Sequence, residues 1–239
     1  MFKKLPLSQR LQSVASYLTS GTTFADIGSD HAYLPCYVCL QDKTVKAIAG
    51  EINEGPFRSA VETVRYHDLT NAVEVRLGNG LQVLHKVDNV EQLVIAGMGG
   101  ALIKTILEEG QSKLDTVQRI IAQPNIDARN VRKWLLEHEY TITDETILEE
   151  NGHIYEIIVA DKGEVNNPYQ EAFKEQQLLF GPILLEKRTD VFNLKWQSEY
   201  EKLKRIIEQM KKAKQENAKK ISQFETELHW IKEVLQNEK

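Results

Sequence analysis

The chain has 239 residues, 41% of them hydrophobic and 27% charged, with a formal net charge of −5; this leaves room for one α/β domain with an appendage and is too apolar for wholesale disorder. No run approaches the roughly 18 apolar residues of a membrane span, and Met1-Phe2-Lys3-Lys4-Leu5-Pro6 lacks a signal-peptide core, so a cytoplasmic protein without a membrane partner is expected. The charge is divided: residues 1–164 hold 16 Lys+Arg against 23 Asp+Glu and residues 165–239 hold 14 against 12, so a polyanion would have to use local patches.

Leu7, Leu11, Val14 and Leu18 fall at helical spacing over residues 7–19, with Ser8 as the cap. This helix carries Arg10 on its polar side, close behind Lys3 and Lys4. Solvated charge and substrate contact are both open readings for it. A strand over 22–27 ends in Asp26-Ile27-Gly28 and a polar turn, Ser29-Asp30-His31. A helix over 33–41 follows, with Pro35 in its first turn, where a missing N–H costs nothing. Cys36 and Cys39 have C-x-x-C spacing on an apolar helix face, without a second ligand pair. They are expected to be buried thiols, and no metal is expected.

Further strands are predicted over 45–50, 73–77, 92–96 and 117–122, and helices over 55–67, 100–108 and up to about His138, the last capped by Asn125 or Asp127. This alternation implies parallel strands with right-handed crossovers. The pattern then changes. Residues 141–148 and 153–160 are strand-like and joined through Glu150-Asn151-Gly152, a hairpin turn. The expected fold is therefore α/β, a mostly parallel sheet closed by an antiparallel hairpin.

Residues 162–169 read as a linker, which divides the chain into domains 1–163 and 164–239, and a short helix is expected over 170–180. From Asp190 onward, Trp196, Tyr200, Leu203, Ile207 and Met210 keep 4-3-4-3 spacing, and Ile221, Phe224, Leu228, Ile231 and Leu235 keep 3-4-3-4. Two narrow seams separated near 215–217 predict an antiparallel helical hairpin of coiled-coil type. Such seams pair within or between chains, so a monomer or weak dimer is expected. Around the break stand Lys202, Lys204, Arg205, Lys211, Lys212, Lys214, Lys219 and Lys220 against Glu208 and Glu216. A solvated tip and a phosphate-backbone contact are the two readings.

In an open parallel sheet, ligands bind at the carboxyl ends of the strands. Here five such ends carry glycine, carboxylate or amide groups: Asp26–His31, Glu51, Gly78-Asn79-Gly80, Ala96-Gly97-Met98-Gly99-Gly100 and Gln123-Pro124-Asn125. A dinucleotide fingerprint would need glycine at 30 and 33, where Asp30 and Tyr33 stand. A pyrophosphate would be repelled by Asp30, whereas a cationic ligand would be attracted. That favours S-adenosylmethionine, which carries a sulfonium and an ammonium and no phosphate. Glu51 suits a ribose hydroxyl pair, Asn79 an adenine edge, and Gly97 and Gly99 a close backbone approach.

DIGSDHAYLP over 26–35, GEINEGP over 50–56, GNGL over 78–81, AGMGG over 96–100 and QPN over 123–125 occur in this order. In this combination the chain resembles the bacterial tRNA (adenine-22-N1)-methyltransferases, along its full length. The resemblance implies a class I methyltransferase with a Rossmann-like sheet and a C-terminal coiled-coil domain, S-adenosylmethionine as cofactor, and tRNA as partner. Carried onto this chain, Asp26, Gly28, Ser29, Asp30 and His31 would frame the methionine end. Glu51 and Ile52 would hold the ribose, Asn79 and Gly80 the adenine, and Ala96, Gly97, Met98 and Gly99 the methyl-donor region. Asn79 departs from the acidic residue that many class I enzymes have there. Asp30, His31, Tyr33 and Asn125 are the catalytic candidates: Asp30 or His31 to take the amino proton, Tyr33 to stack on the target base, Asn125 to bond its edge. Arg10, Lys211, Lys212 and Lys214 are the candidate tRNA contacts.

Plainer readings stand beside these. Asp30 binds cofactor only, His31 opens a helix, Tyr33 is core, and residues 123–125 are a turn. A class I methyltransferase for another RNA site or a small molecule is the enzymatic alternative. A cofactor-sensing RNA-binding scaffold is the non-enzymatic one.

Overall fold

The computed structural model describes residues 5–163, 167–212 and 218–236; Lys3, Lys4 and Lys214 lie outside them. The described strands are β1 (Thr23–Ile27), β2 (Lys46–Glu51), β3 (Val73–Leu77), β4 (Gln92–Gly99), β5 (Arg119–Ile126), β6 (Tyr140–Glu150) and β7 (His153–Lys162). They form one sheet in the order β3-β2-β1-β4-β5-β7-β6. The pairs from β3 to β5 are parallel, and β7 runs antiparallel to both β5 and β6. The direction of strand addition reverses between β1 and β4, which opens a crevice at their carboxyl ends.

Helices α1 (Gln9–Ser16), α2 (Tyr33–Gln41), α3 (Glu54–Tyr66), α4 (Gly100–Glu109) and α5 (Ala128–Glu137) accompany the sheet. Covering both faces makes the central strands apolar on both sides. Alternate residues then serve different layers. Ala25, Ile27, Leu93, Ile95, Ile120 and Ala122 enter one core with α4 and α5, whereas Phe24, Val94 and Ile121 enter the other with α1, α2 and α3. By the same alternation Asp26 and Gln123 face the layer that holds α1. Cys36 and Cys39 are buried free thiols in that layer, and burial pushes them up to about 12 and about 11.

Asn151 (φ 54°) and Gly152 (φ 78°) form the two-residue turn between β6 and β7, the left-handed pair that suits the twist of a hairpin. Residues 123–125 are not a turn. After a bulge at Gly97, Met98 pairs with Pro124 and Gly99 with Ile126, so β4 and β5 both run further than periodicity suggested. Pro124 is tolerated where the ladder is already irregular. Asp127 (φ 58°) stands before α5 without a side-chain cap bond, and neither it nor Asn125 caps the helix as expected.

The chain divides into two compact units, 1–183 and 184–239, rather than at 163/164. Residues 167–183 stay with the sheet because α6 (Lys174–Phe180) buries Leu178 and Phe180. Arg132, fully buried on α5, also donates to the Leu178 and Leu179 carbonyls, and Glu145 accepts the Ile183 N–H. Helix α7 (Pro182–Lys187) leads on to α8 (Asp190–Lys212) and α9 (Ala218–Gln236) in the second unit. Lys211 pairs with Glu225 at 2.5 Å, and Arg188 donates to the Val234 carbonyl at 3.2 Å, so α8 and α9 run antiparallel. Trp196, Ile207, Ile221, Ile231 and Val234 are buried along the seam. Among the described residues, no helix is long and apolar enough to cross a membrane, and no cluster of three metal-ligating side chains occurs.

Candidate active site

The first strand end is a strained corner. Gly28 (φ 72°), Asp30 (φ 56°) and Ala32 (φ 56°) are all left-handed, which costs a residue with a Cβ about 1–2 kcal/mol. The corner is held by β2. Gly28 and Ser29 N–H both donate to the Gly50 carbonyl, at 2.9 and 3.2 Å, and Asp30 N–H donates to the Glu51 carboxylate. The left-handed φ of Gly28 favours glycine there, and a Cβ would lie 2.1 Å from the terminal methyl of Met98, so that side chain would have to swing aside.

Two buried carboxylates adjoin this corner, Asp26 at 4% and Glu51 at 5% exposure. Burial raises the Asp26 carboxyl to about 7. The Ser29 hydroxyl, donating at 2.6 Å, opposes the rise, Glu51 adds to it, and Arg10 opposes it. Burial also raises Glu51, against the Asp30 N–H bond. Neither carboxylate has a side-chain cation within ion-pair distance among the described ion pairs, so each is set to gain from a bound cation or hydroxyl donor. The residues therefore fit S-adenosylmethionine: an acidic, glycine-floored crevice for a cationic ligand.

Asp30 is exposed, with its carboxylate 3.7 Å from His31 Nε2, and the His31 and Tyr33 rings stack at 5.1 Å. Tyr33 is 41% exposed, which removes the core reading. Ile52, 59% exposed, flanks Glu51, and Asn79 is exposed at the start of a short 3-10 turn that begins at Gly80. These groups share the carboxyl edge of the sheet, as the sequence predicts.

Arg10 does not project from a solvated helix face. Its guanidinium donates to Gln123 Oε1 and lies 5.3 Å from the centre of the Tyr155 ring. The Gln9 and Arg10 N–H groups donate to the Glu150 carboxylate at 2.5 and 3.4 Å, and Tyr17 reaches Thr146 at 2.6 Å, which pins α1 to β6. Gln123 Oε1 also accepts the Gly97 N–H at 3.0 Å. Its Nε2 donates to Asn125 Oδ1 at 3.1 Å, and Asn125 Nδ2 donates to the Gly97 carbonyl at 2.8 Å. The sequence places Gln123 among the strand-end amides but gives it no role, and it offers no cue for Glu150 and Tyr155, which meet α1 only through the folded hairpin.

In the second unit, Lys211 is engaged with Glu225 and Lys202 with Glu199, while Lys212 is exposed. Exposed pairs of this kind are weak.

A sheet of this order with its last-added strand antiparallel, and with carboxylates at two adjacent strand ends above a glycine corner, defines a class I methyltransferase fold. A sequence model of the tRNA (adenine(22)-N(1))-methyltransferases matches residues 24–233. The tRNA (adenine(22)-N(1))-methyltransferase of Bacillus subtilis (strain 168) is 44% identical over 234 residues, 97% of this chain and 98% of that protein. The crystal structure of the B. subtilis M1A22 tRNA methyltransferase TrmK superposes with a TM-score of 0.90 at 42% identity, covering 97% of this chain and 100% of that one. A Streptococcus pneumoniae protein in complex with S-adenosyl-L-methionine gives 0.84 at 41% identity, covering 96% and 100%. The chain belongs to the tRNA (adenine(22)-N(1))-methyltransferase family.

Proposed function

We propose that the chain methylates N1 of the adenine at position 22 of bacterial tRNA, using S-adenosylmethionine, in the cytoplasm and as a monomer or weak dimer. The observation that carries the reading is the buried pair Asp26 and Glu51 at adjacent strand ends, in a chain of this family. Bound there, S-adenosylmethionine supplies a sulfonium-activated methyl carbon, which the N1 lone pair takes in one displacement while the carbon–sulfur electron pair stays on sulfur. Asp26, Gly28, Ser29, Asp30 and His31 hold the methionine end. Glu51 accepts the ribose hydroxyls beside Ile52, and Asn79 with Gly80 meets the cofactor's adenine. The backbone of Ala96, Gly97, Met98 and Gly99 walls the reacting region. Tyr33, stacked on His31, gives the target base an exposed aromatic face. Asp30, the exposed carboxylate of the corner, balances the positive charge that passes to the ring and takes the amino proton when it leaves. Because a ring nitrogen is already nucleophilic, most of the acceleration comes from holding it in line with the methyl carbon. Lys211, Lys212 and Lys214 neutralise tRNA phosphates.

Incubating the full chain with methyl-labelled cofactor and unmodified bacterial tRNA, then digesting to nucleosides, yields label in 1-methyladenosine. Label in any other nucleoside would overturn the assignment of the target.

Asp26 adds a pH dependence. With its carboxyl raised to about 7 in the free protein, a cationic ligand that favours the carboxylate must displace a proton on binding. Affinity therefore rises with pH below about 7, by up to about tenfold per unit, and levels off above it. Calorimetry with S-adenosylmethionine from pH 5.5 to 7.5 reads this slope, and Asp26→Asn flattens it. A flat profile in the unaltered protein would place Asp26 outside the charged contacts.

A further inference from the structure

We infer that Gln123, together with Arg10, is a positioning residue that orients the Asn125 amide to accept a hydrogen bond from the 6-amino group of the target adenine, so that the enzyme distinguishes this base by its amino group. The inference rests on the methylation reading above.

It follows from the polarity of a hydrogen-bond chain. A guanidinium and a backbone N–H can only donate. Arg10 and the Gly97 N–H both donate to one atom of Gln123, which must therefore be the amide oxygen. With the oxygen so placed, the Gln123 amide nitrogen faces Asn125 and donates to it at 3.1 Å. The atom that receives this bond must in turn be the Asn125 oxygen. The remaining Asn125 nitrogen points at the Gly97 carbonyl, 2.8 Å away. Flipping the Asn125 amide would set nitrogen against nitrogen and oxygen against oxygen. Flipping Gln123 would set its NH2 against the guanidinium and the Gly97 N–H.

Each link is held in place. Gln123 is fully buried at the end of β5. Arg10 is fixed by the Glu150 clamp on the first turn of α1 and by the Tyr155 ring. At the far end Asn125 is exposed, and an amide has two lone pairs and two N–H groups. Its bonds to Gln123 and Gly97 use one of each. The second lone pair on Oδ1 is left over on an exposed side chain that bonds Gly97, one of the residues that, on the reading above, wall the reacting region. An adenine presents an N–H donor on carbon 6, whereas a guanine presents a carbonyl oxygen, which this lone pair would repel. A site built to bond a donor discriminates strongly against a base without one.

The test uses the full chain and tRNA prepared by ligation with either adenosine or purine riboside, which lacks the 6-amino group, at the target position. The weaker intrinsic reactivity of purine riboside is common to all enzymes and cancels when their preferences are compared. The expected result is that the adenosine-over-purine preference in kcat/KM falls at least fivefold in Asn125→Ala. It falls by a similar factor in Gln123→Leu, with no further fall in the double variant and with S-adenosylmethionine affinity retained. Should the buried Gln123→Leu chain not fold, Arg10→Met carries the same comparison. An unchanged preference in Gln123→Leu or Arg10→Met, even with lower overall activity, would reduce these residues to structural supports and overturn the inference while sparing the methylation reading. Absence of methyl transfer to adenosine in the unaltered protein would overturn the reading itself, and the inference with it.

Discussion

Replacing Glu51 with glutamine weakens S-adenosylmethionine binding about 50-fold without loosening the fold. A hydrogen bond to a charged acceptor contributes about 1.5–3 kcal/mol, and the change removes the charge from the acceptor proposed above to bind the two ribose hydroxyls; a loss of about 2.3 kcal/mol corresponds to 50-fold. The fold does not suffer, because the carboxylate is itself a burden on the free protein. Burial raises its pKa, and its charge raises that of Asp26 as well. Glutamine keeps an oxygen for the Asp30 N–H and relieves both effects. Thermal unfolding of the free variant is therefore expected at or above the temperature of the unaltered protein, while calorimetry shows the weaker binding. An affinity within about threefold of the original would show that Glu51 does not carry the ribose.

Arg132→Met has the opposite profile, with a large loss of stability and no direct contact with the crevice. Arg132 is completely buried between Glu145 and Glu156, at 2.7 and 2.9 Å. Removing one member of a buried ion group leaves the others without compensation and costs about 3–5 kcal/mol. Here two carboxylates and the Leu178 and Leu179 carbonyls lose the guanidinium together. The sign of the pH dependence follows from Glu145, which burial already raises even with Arg132 in place. Without the guanidinium its folded pKa rises further. A raised folded pKa gives stability that is complete at low pH and lost as pH climbs through that pKa. The deficit relative to the unaltered protein is therefore larger at pH 8 than at pH 5.5. Urea unfolding at the two values measures it, and a deficit below about 1 kcal/mol at both would show that the cluster is not an anchor. Gly181 is part of the same arrangement: a Cβ there would meet Arg132 Nη2 at 2.6 Å and the Glu145 carboxylate at 2.7 Å. This junction is the reason the first unit extends to residue 183.

Much of this protein is legible in one dimension because its signals are local. The alternation of apolar runs with ends rich in glycine, carboxylate or amide groups marks β1 to β5, Asn151-Gly152 marks the closing hairpin, and the 4-3 spacings mark α8 and α9. The carboxylates at 26 and 51 are visible because each sits within one residue of the end of its own strand. The unit boundary was not legible, since polar residues 162–169 look like a linker and nothing nearby shows that Arg132, some 45 residues earlier, anchors the chain beyond them. The plainer alternative for 123–125, a turn, fails for a similar reason. Proline ordinarily interrupts a strand, and the bulge that accommodates it belongs to β4, at Gly97.

The sequence by itself therefore determined the order of elements, the acidic glycine corner between Thr22 and Pro35 and its preference for a cation over a pyrophosphate, because these depend on residue type at short spacing. The tertiary structure alone decided that Arg10 turns inward rather than toward solvent and that Gln123 links Arg10, Gly97 and Asn125. It also raised the Asp26 carboxyl toward neutrality and tied residues 178–183 to the sheet. Each of these depends on burial and on partners 20 to more than 100 residues away, and desolvation and hydrogen-bond direction exist only once the chain has brought those groups together.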